Sequence, residues 1–320
     1  MQIVFLSARP AVLEVTLGFV RAHLPFIERF LVVTPASLEP GMRALGLDVV
    51  TDQELLAGEG PSDHAVRNYA LRTALARCPA VEEVFLSSDD DYRPLVPLDV
   101  TTFVRDGRHR RYTCGWLDDW EQRGTAFDRS QLAMRQVLGL HGWPRLAYTS
   151  HMPQLIDKRL YGEVAGLLAA AAAVAPLDEW SGYFNVAGHL HPERFEDPEP
   201  YLTLGWPEDL STWQPTLEPA ALQFENHHPQ HYAAGEVFEG IDPADTSYAA
   251  AVGKVVRWRS YELAVLAGER RAALAPAPES GPIGSALRQA RARAVGDPGL
   301  RERQQRAATA AALRALRRSP

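Results

Sequence analysis

The chain has 320 residues, 46% of them hydrophobic, and a formal net charge of −7, enough for one large α/β domain or two smaller ones. An acidic body argues against nucleic acid as a partner, and no tract approaches the roughly 20 apolar residues that span a bilayer. Two cysteines, Cys78 and Cys114, lie far apart without metal spacing, which excludes a disulfide framework and a zinc site of the CxxC kind.

Residues 2–7 read as a first strand with no basic n-region before it, so a cytoplasmic protein is expected. A helix follows over 11–24, where Leu13, Leu17, Val20 and Leu24 recur at helical spacing. Residues 30–34 make a second strand, Ser37 caps a short helix to Leu45, and 47–51 make a third strand. Ser62 or Asp63 then caps a helix through Ala76, which leads into a fourth strand over 83–88. This alternation is the signature of βα units over a largely parallel sheet, a Rossmann-like α/β fold with helices on its faces. The second half is less regular. Strands are expected over 110–114, 145–149, 201–204 and 220–224, and helices over 130–140, 157–173 and 246–274. Residues 275–282, rich in Pro and Ala, read as a linker. From residue 268 onward there are eleven arginines and four acids, so this stretch carries +7 and the remainder −14. Such a basic extension suits either a solvated helix or peripheral contact with an anionic inner membrane face. The expected organisation is a catalytic region over 1–274, divided near 115, and an arginine-rich tail over 275–320.

Three consecutive carboxylates, Asp89, Asp90 and Asp91, follow the apolar run Val84-Phe85-Leu86 and two serines. They fall at the carboxyl end of a strand, the edge where open α/β sheets bind ligands. Like charges side by side repel, and a divalent cation among them relieves the repulsion. Oxygen ligands favour Mg²⁺ or Mn²⁺, which would in turn hold a diphosphate. An acidic strand-end turn is the alternative reading, because Asp is a common turn former.

A second acidic group, Asp178 and Glu179, opens a helix after Pro176. Glu179 in the first turn feels the positive helix end, which favours the ionised form and a role as general base on an acceptor hydroxyl. Asp178 is its rival and a candidate N-cap. Trp180 and Tyr183 are placed either to stack on a sugar ring or to pack in the core. A third group is Phe224-Glu225-Asn226-His227-His228. Neighbouring side chains of an extended segment point in opposite directions, so only one of the two histidines can join a metal shell.

The run Arg67-Asn68-Tyr69-Ala70-Leu71, then the apolar strand, then Asp89-Asp90-Asp91, resembles in order and spacing the family-2-like GT-A glycosyltransferases with their DxD-type motif. The opening helix and residues 30–35 are also similar to that superfamily. The resemblance implies a metal-dependent, inverting glycosyltransferase. It would move a sugar from a nucleoside-diphosphate donor to a glycan, lipid-linked or small-molecule acceptor. It implies Asp89 and Asp91 as metal ligands with His227 or His228, and Asp90 on ribose or sugar hydroxyls. It also implies Arg67 and Asn68 on the donor, Ser7 and Arg9 at the nucleobase and ribose, and Asp52 at the base edge. The segment Tyr148-Thr149-Ser150-His151-Met152-Pro153 is similar to a His-x-Pro segment of the Stealth sugar-1-phosphate transferases, whose Trp-Val-Asp-Gly opening this chain lacks. Either resemblance places His151 in the acceptor pocket. A non-catalytic carbohydrate-binding protein of the same fold is the third reading.

Overall fold

The computed structural model describes residues 1–120, 124–149, 151–204 and 223–268. Its centre is a five-stranded sheet. In chain order the first half runs β1 (Gln2–Leu6), α1 (Pro10–His23), β2 (Arg29–Thr34), α2 (Glu39–Ala44), β3 (Asp48–Thr51), α3 (Asp52–Leu56), α4 (His64–Leu75), β4 (Val84–Asp89) and β5 (Tyr92–Pro94). β4, β1, β2 and β3 lie side by side and parallel, and the strand Gln154–Asp157 adds an antiparallel edge next to β4. The expected α/β architecture with a mainly parallel central sheet is therefore the observed one.

Alternation along the strands sorts the core into two layers. Val4, Leu6, Leu31, Val33 and Phe85 face the side covered by α4 and the later helices, where Leu75, Leu138, Val164 and Phe184 pack. Ile3, Phe5, Val32 and Leu86 face the other side, where Leu13, Leu17, Val20 and Leu24 of α1 lie. Each such leucine, taken fully out of water, contributes about 1.5–3 kcal/mol. α1 begins at Pro10, whose fixed φ suits the first helical position and whose missing N–H costs nothing there.

The second half supplies α5 (Ala126–His141), α6 (Lys158–Ala172), α7 (Glu179–Leu190) and α8 (Tyr248–Leu266). α7 is buried from Trp180 to Gly188. Gly182 allows this, because a Cβ there would lie 2.9 Å from Met134 Cε of α5 and 3.1 Å from Leu168 Cδ1 of α6. The strands expected over 110–114 and 145–149 shrink to Tyr112–Thr113 and Leu146–Ala147. Their partners, Glu199–Pro200 and Gly115–Trp116, are equally short, so the ladders cannot extend. The edge strand Gln154–Asp157 and the short helix α3 were not anticipated. For α3 the signal was present: Thr51 and Glu54 form a reciprocal capping box. Of the strand expected over 220–224, residues 220–222 lie outside the described residues, and Phe224–Asn226 pairs with β5.

The chain divides into two compact units, residues 1–208 with 218–255, and residues 209–217 with 256–320. In the second, Trp258 and Tyr261 stack at 5.5 Å on the last turns of α8. The expected linker and arginine-rich tail lie outside the described residues. Among the described residues no helix is long and apolar enough to cross a membrane.

Candidate functional site

A cleft of ≈ 660 Å³ opens in the first unit at the carboxyl ends of the strands. Its walls bring together Ser7, Arg9, Asp52, Arg67, Asn68, the three aspartates, His151, Asp178, Glu179, Trp180 and His228, all singled out above. Tyr183 and His227 are not on its walls.

Parallel pairing builds the first wall. The register sets Leu6 beside Asp89, so the residues that leave β1 meet those that leave β4. Ser7 Oγ donates to Asp90 Oδ2 at 2.7 Å, and Arg9 Nε donates to the same oxygen at 3.1 Å. Arg9 Nη2 pairs with Asp90 Oδ1 and reaches Asp91 Oδ2 at 3.2 Å. Asp90 is buried and tied further by Thr16 Oγ1, which donates to its carbonyl at 2.5 Å. Asp90 therefore anchors the loop, and the sugar-hydroxyl contact expected of it would compete with these partners. Burial raises its pKa, and its hydrogen bond to Arg9 works against that.

Asp91 differs. Its Oδ1 is buried without a hydrogen-bond partner, and its side chain retains 17% exposure. Burial, then the charges of Asp89 and Asp90, push its carboxyl up to about 7, and Arg9 offsets only part of that. Protonation or a cation would relieve this carboxylate.

Arg67 and Asn68 stand in the first turns of α4, which Asp63 caps by accepting from Val66 N at 3.1 Å. Arg67 forms an ion pair with Asp52, the first residue of α3, so the expected donor arginine and base-edge aspartate are partners of each other. One turn further on is a residue that sequence reasoning missed. Arg72 is 1% exposed. Its Nη1 donates to Ser87 Oγ at 2.6 Å, its Nε to Glu179 Oε1 at 2.9 Å, and its Nη2 to Asp89. Burial opposes its charge, yet Asp89 and Glu179 leave its pKa raised. The sequence did hold a signal: Tyr69, Arg72 and Leu75 share one helical stripe, and all three are buried.

The head of α7 also lines the cleft. Asp178 is its N-cap, accepting from Ser181 N at 2.6 Å and from Gln131 Nε2 at 2.8 Å. Both its oxygens are thus engaged in the core, and it is the cap rather than a free base. Glu179 keeps 12% side-chain exposure at the floor of the cleft. The pull of the helix end toward the ionised form is opposed here. Burial pushes its carboxyl up to about 7; Arg72 pulls it down, and Asp178 pushes it up again. Desolvation in a walled cleft outweighs a dipole contribution of about 0.3–1 kcal/mol.

Two aromatic expectations are corrected. Tyr183 is fully buried among Tyr161, Phe184 and Phe195, and its OH accepts from Asp157 N at 3.0 Å, so it cannot stack on a ligand. Trp180 is 4% exposed and lies under the Arg72 guanidinium at 4.3 Å, so its ring face is taken. Of the histidine pair, His228 is half-buried on the cleft wall, while His227 is turned into the protein. Burial, with Arg93 and Lys254 adding to it, pushes the His227 imidazole down to about 2. His151 is exposed on the cleft wall, with φ of 48° and its ring edge-on to Tyr92 at 5.7 Å. Phe127, exposed on the same wall at the start of α5, was not anticipated.

No family model matches the chain, and no curated protein matches its sequence. Solved structures with a similar chain course include mouse xyloside xylosyltransferase 1 in its apo form, at 12% identity, covering 72% of this chain and 99% of that one with a TM-score of 0.39. The galactosyltransferase LgtC with donor and acceptor sugar analogues matches at 14% identity over 81% of this chain and 96% of that one, with a TM-score of 0.42. Glucosyl-3-phosphoglycerate synthase from Mycobacterium tuberculosis, with Mn²⁺, UDP-glucose and phosphoglyceric acid, matches at 14% identity over 50% and 57%, with a TM-score of 0.31. These likenesses are low in both identity and TM-score.

Proposed function

We propose that this chain is a GT-A-type glycosyltransferase that moves a sugar from a nucleoside-diphosphate donor to a hydroxyl acceptor with inversion. The observation that carries the reading is one cleft lined by both the Asp89–Asp91 carboxylates and Glu179. The Asp52–Arg67 pair, Asn68, Ser7 and Arg9 line the donor side, where Arg9 is half exposed with its Nε and Nη2 already engaged by Asp90 and Asp91.

The residues present fit a hard divalent cation. Asp91 Oδ1 is a buried oxygen without a partner, its carboxyl is destabilised as an anion, and the imidazole of His228 lies on the same wall. Among the described residues no three such side chains converge as a ready-made cage, so a diphosphate would have to share in ligation. Asp91 and Asp89 would hold Mg²⁺ or Mn²⁺, and His228, whose Nε2 lies 2.7 Å from Asn226 Nδ2, lines the same cleft. Bound there, the cation would neutralise charge on the departing nucleoside diphosphate.

Glu179 accepts the proton of the acceptor hydroxyl at Oε1 or Oε2. A carboxyl near pH 7 is well matched to that task, because half of it is ionised at neutral pH while it remains basic enough to hold the proton. Asp178 holds the head of α7 in place. His151 borders the acceptor space. Residues 1–274 form the catalytic region in this reading, with the basic residues beyond as an extension able to touch an anionic surface.

Asp91→Asn tests the metal assignment. Calorimetry with nucleoside diphosphate and Mn²⁺ should show metal-dependent affinity in the native chain and its loss in the variant, with the melting curve unchanged. Equal affinity in both would remove Asp91 from the metal site. Release of a nucleoside monophosphate during turnover would instead identify a sugar-1-phosphate transferase. Nucleotide binding without transfer or donor hydrolysis would identify a non-catalytic binding protein.

A further inference from the structure

We propose that Arg72 is a positioning residue that holds Glu179 and Asp89 at a fixed separation on the lining of the cleft, through one buried guanidinium. This rests on the reading of Glu179 as the base.

The geometry is specific to an arginine. Nε donates to Glu179 Oε1 at 2.9 Å, Nη1 to Ser87 Oγ at 2.6 Å, and Nη2 to Asp89, so every nitrogen of the planar fork has a partner in the site. Its Cζ lies 4.3 Å from the Trp180 ring centroid, which covers one face of the plane. Glu179 and Trp180 are neighbours at the head of α7, Ser87 and Asp89 stand two residues apart on β4, and Arg72 comes from α4. One side chain thus ties three elements at the point where they meet the cleft. A fully buried guanidinium carries a desolvation cost that is offset only when its partners are well placed. Two carboxylates supply that here, and without the cation between them they would repel. Both carboxylates keep a solvent-facing side, 30% for Asp89 and 12% for Glu179, so the pairing orients them without closing them off. A lysine, with a point charge and no fork, can satisfy one of the two at a time.

The test is a double-mutant cycle on transfer kinetics with Arg72→Met, Glu179→Gln and the double variant, each checked for a cooperative melt. If Arg72 acts through Glu179, Arg72→Met lowers kcat by about as much as Glu179→Gln. The double variant is then no worse than the poorer single one within about threefold, because residues acting as a unit are non-additive. Nucleotide affinity should change by less than about tenfold, and Arg72→Lys should recover part of kcat. Losses that multiply in the double variant overturn the proposal, as does a loss confined to nucleotide affinity. If Arg72→Met fails to fold, Arg72→Lys takes its place in the cycle and is judged by non-additivity alone: a double variant no worse than Glu179→Gln within about threefold supports the proposal, and losses that multiply overturn it. Failure of the glycosyltransferase reading looks different: the native chain itself then transfers nothing. In that case the cycle is read in urea unfolding, where coupling between Arg72 and Glu179 supports the positioning role and additivity ends it.

Discussion

Two acidic clusters line one cleft in this protein, and their charges are managed in opposite ways. The aspartates close β4 and begin its turn, with 4% exposure at Asp90, 17% at Asp91 and 30% at Asp89, and Asp90 and Asp91 are met from outside by Arg9, itself half exposed on the β1–α1 turn. The Asp178–Glu179 pair sits at the head of the most buried helix and is met from within, by Arg72 and Gln131. In each cluster one carboxylate is fully engaged in holding the structure, Asp90 in the first and Asp178 in the second. In each the neighbour is left with a carboxyl pushed to about 7, Asp91 and Glu179. An engaged acid beside a destabilised one is a division of labour: the first fixes the backbone, and the second keeps unused capacity for a ligand or a proton.

The largest effect should come from removing that capacity on the α7 side. Glu179→Gln keeps the shape and removes the proposed base, and transfer should fall by about 10²- to 10⁴-fold while calorimetric nucleotide affinity stays near the native value. An undiminished rate would break the symmetry between the clusters and leave only the aspartates functional.

The pH dependence sharpens the same contrast. Glu179 titrates near 7 in the folded chain, against about 4.3 for a free glutamate. The folded state therefore binds this proton more tightly, and the stability it contributes is present below about pH 4.3 and lost as pH rises through about 7. Asp91 is shifted in the same direction. Urea midpoints should fall between pH 5 and 8 over a window where kcat/KM rises, and Glu179→Gln should flatten both slopes. A stability that climbs across that window would show that Glu179 is already ionised in the fold.

Asp178→Ala probes the structural half of the pair. Loss of an N-cap costs about 0.5–2 kcal/mol, and the stranded Gln131 amide adds to it, so chemical denaturation should register a lower midpoint. Any fall in kcat should stay well below that of Glu179→Gln. The reverse ranking would exchange the roles assigned to the two acids. The smallest change in activity is expected from Tyr183→Phe, which removes one acceptor for the Asp157 amide and should cost about 1–3 kcal/mol of stability. Acceptor KM should not move, and a raised KM would return Tyr183 to the ligand.

The first half of the fold was legible because its information is local. β1, α1, β2, α4 and β4 lie within a residue or two of where hydrophobic period and caps put them, since apolar spacing and Asp63-type caps act over a few residues. The aspartate triplet was legible for the same reason: the end of a strand is visible in the chain. The two-residue strands of the second half were overestimated because strand length depends on the partner across the ladder, which no local pattern states.

The sequence by itself determined the α/β class, the position of the aspartates at the carboxyl edge of the sheet, and Asp178–Glu179 at a helix head. Only tertiary structure decided which acid of each cluster is tied into the backbone, that Trp180 and Tyr183 are covered, that His228 rather than His227 reaches the cleft, and that Arg72 joins Glu179 to Asp89. Those outcomes depend on burial and on partners 15 to 107 residues away along the chain, and desolvation and long-range pairing are set by packing rather than by neighbours in sequence.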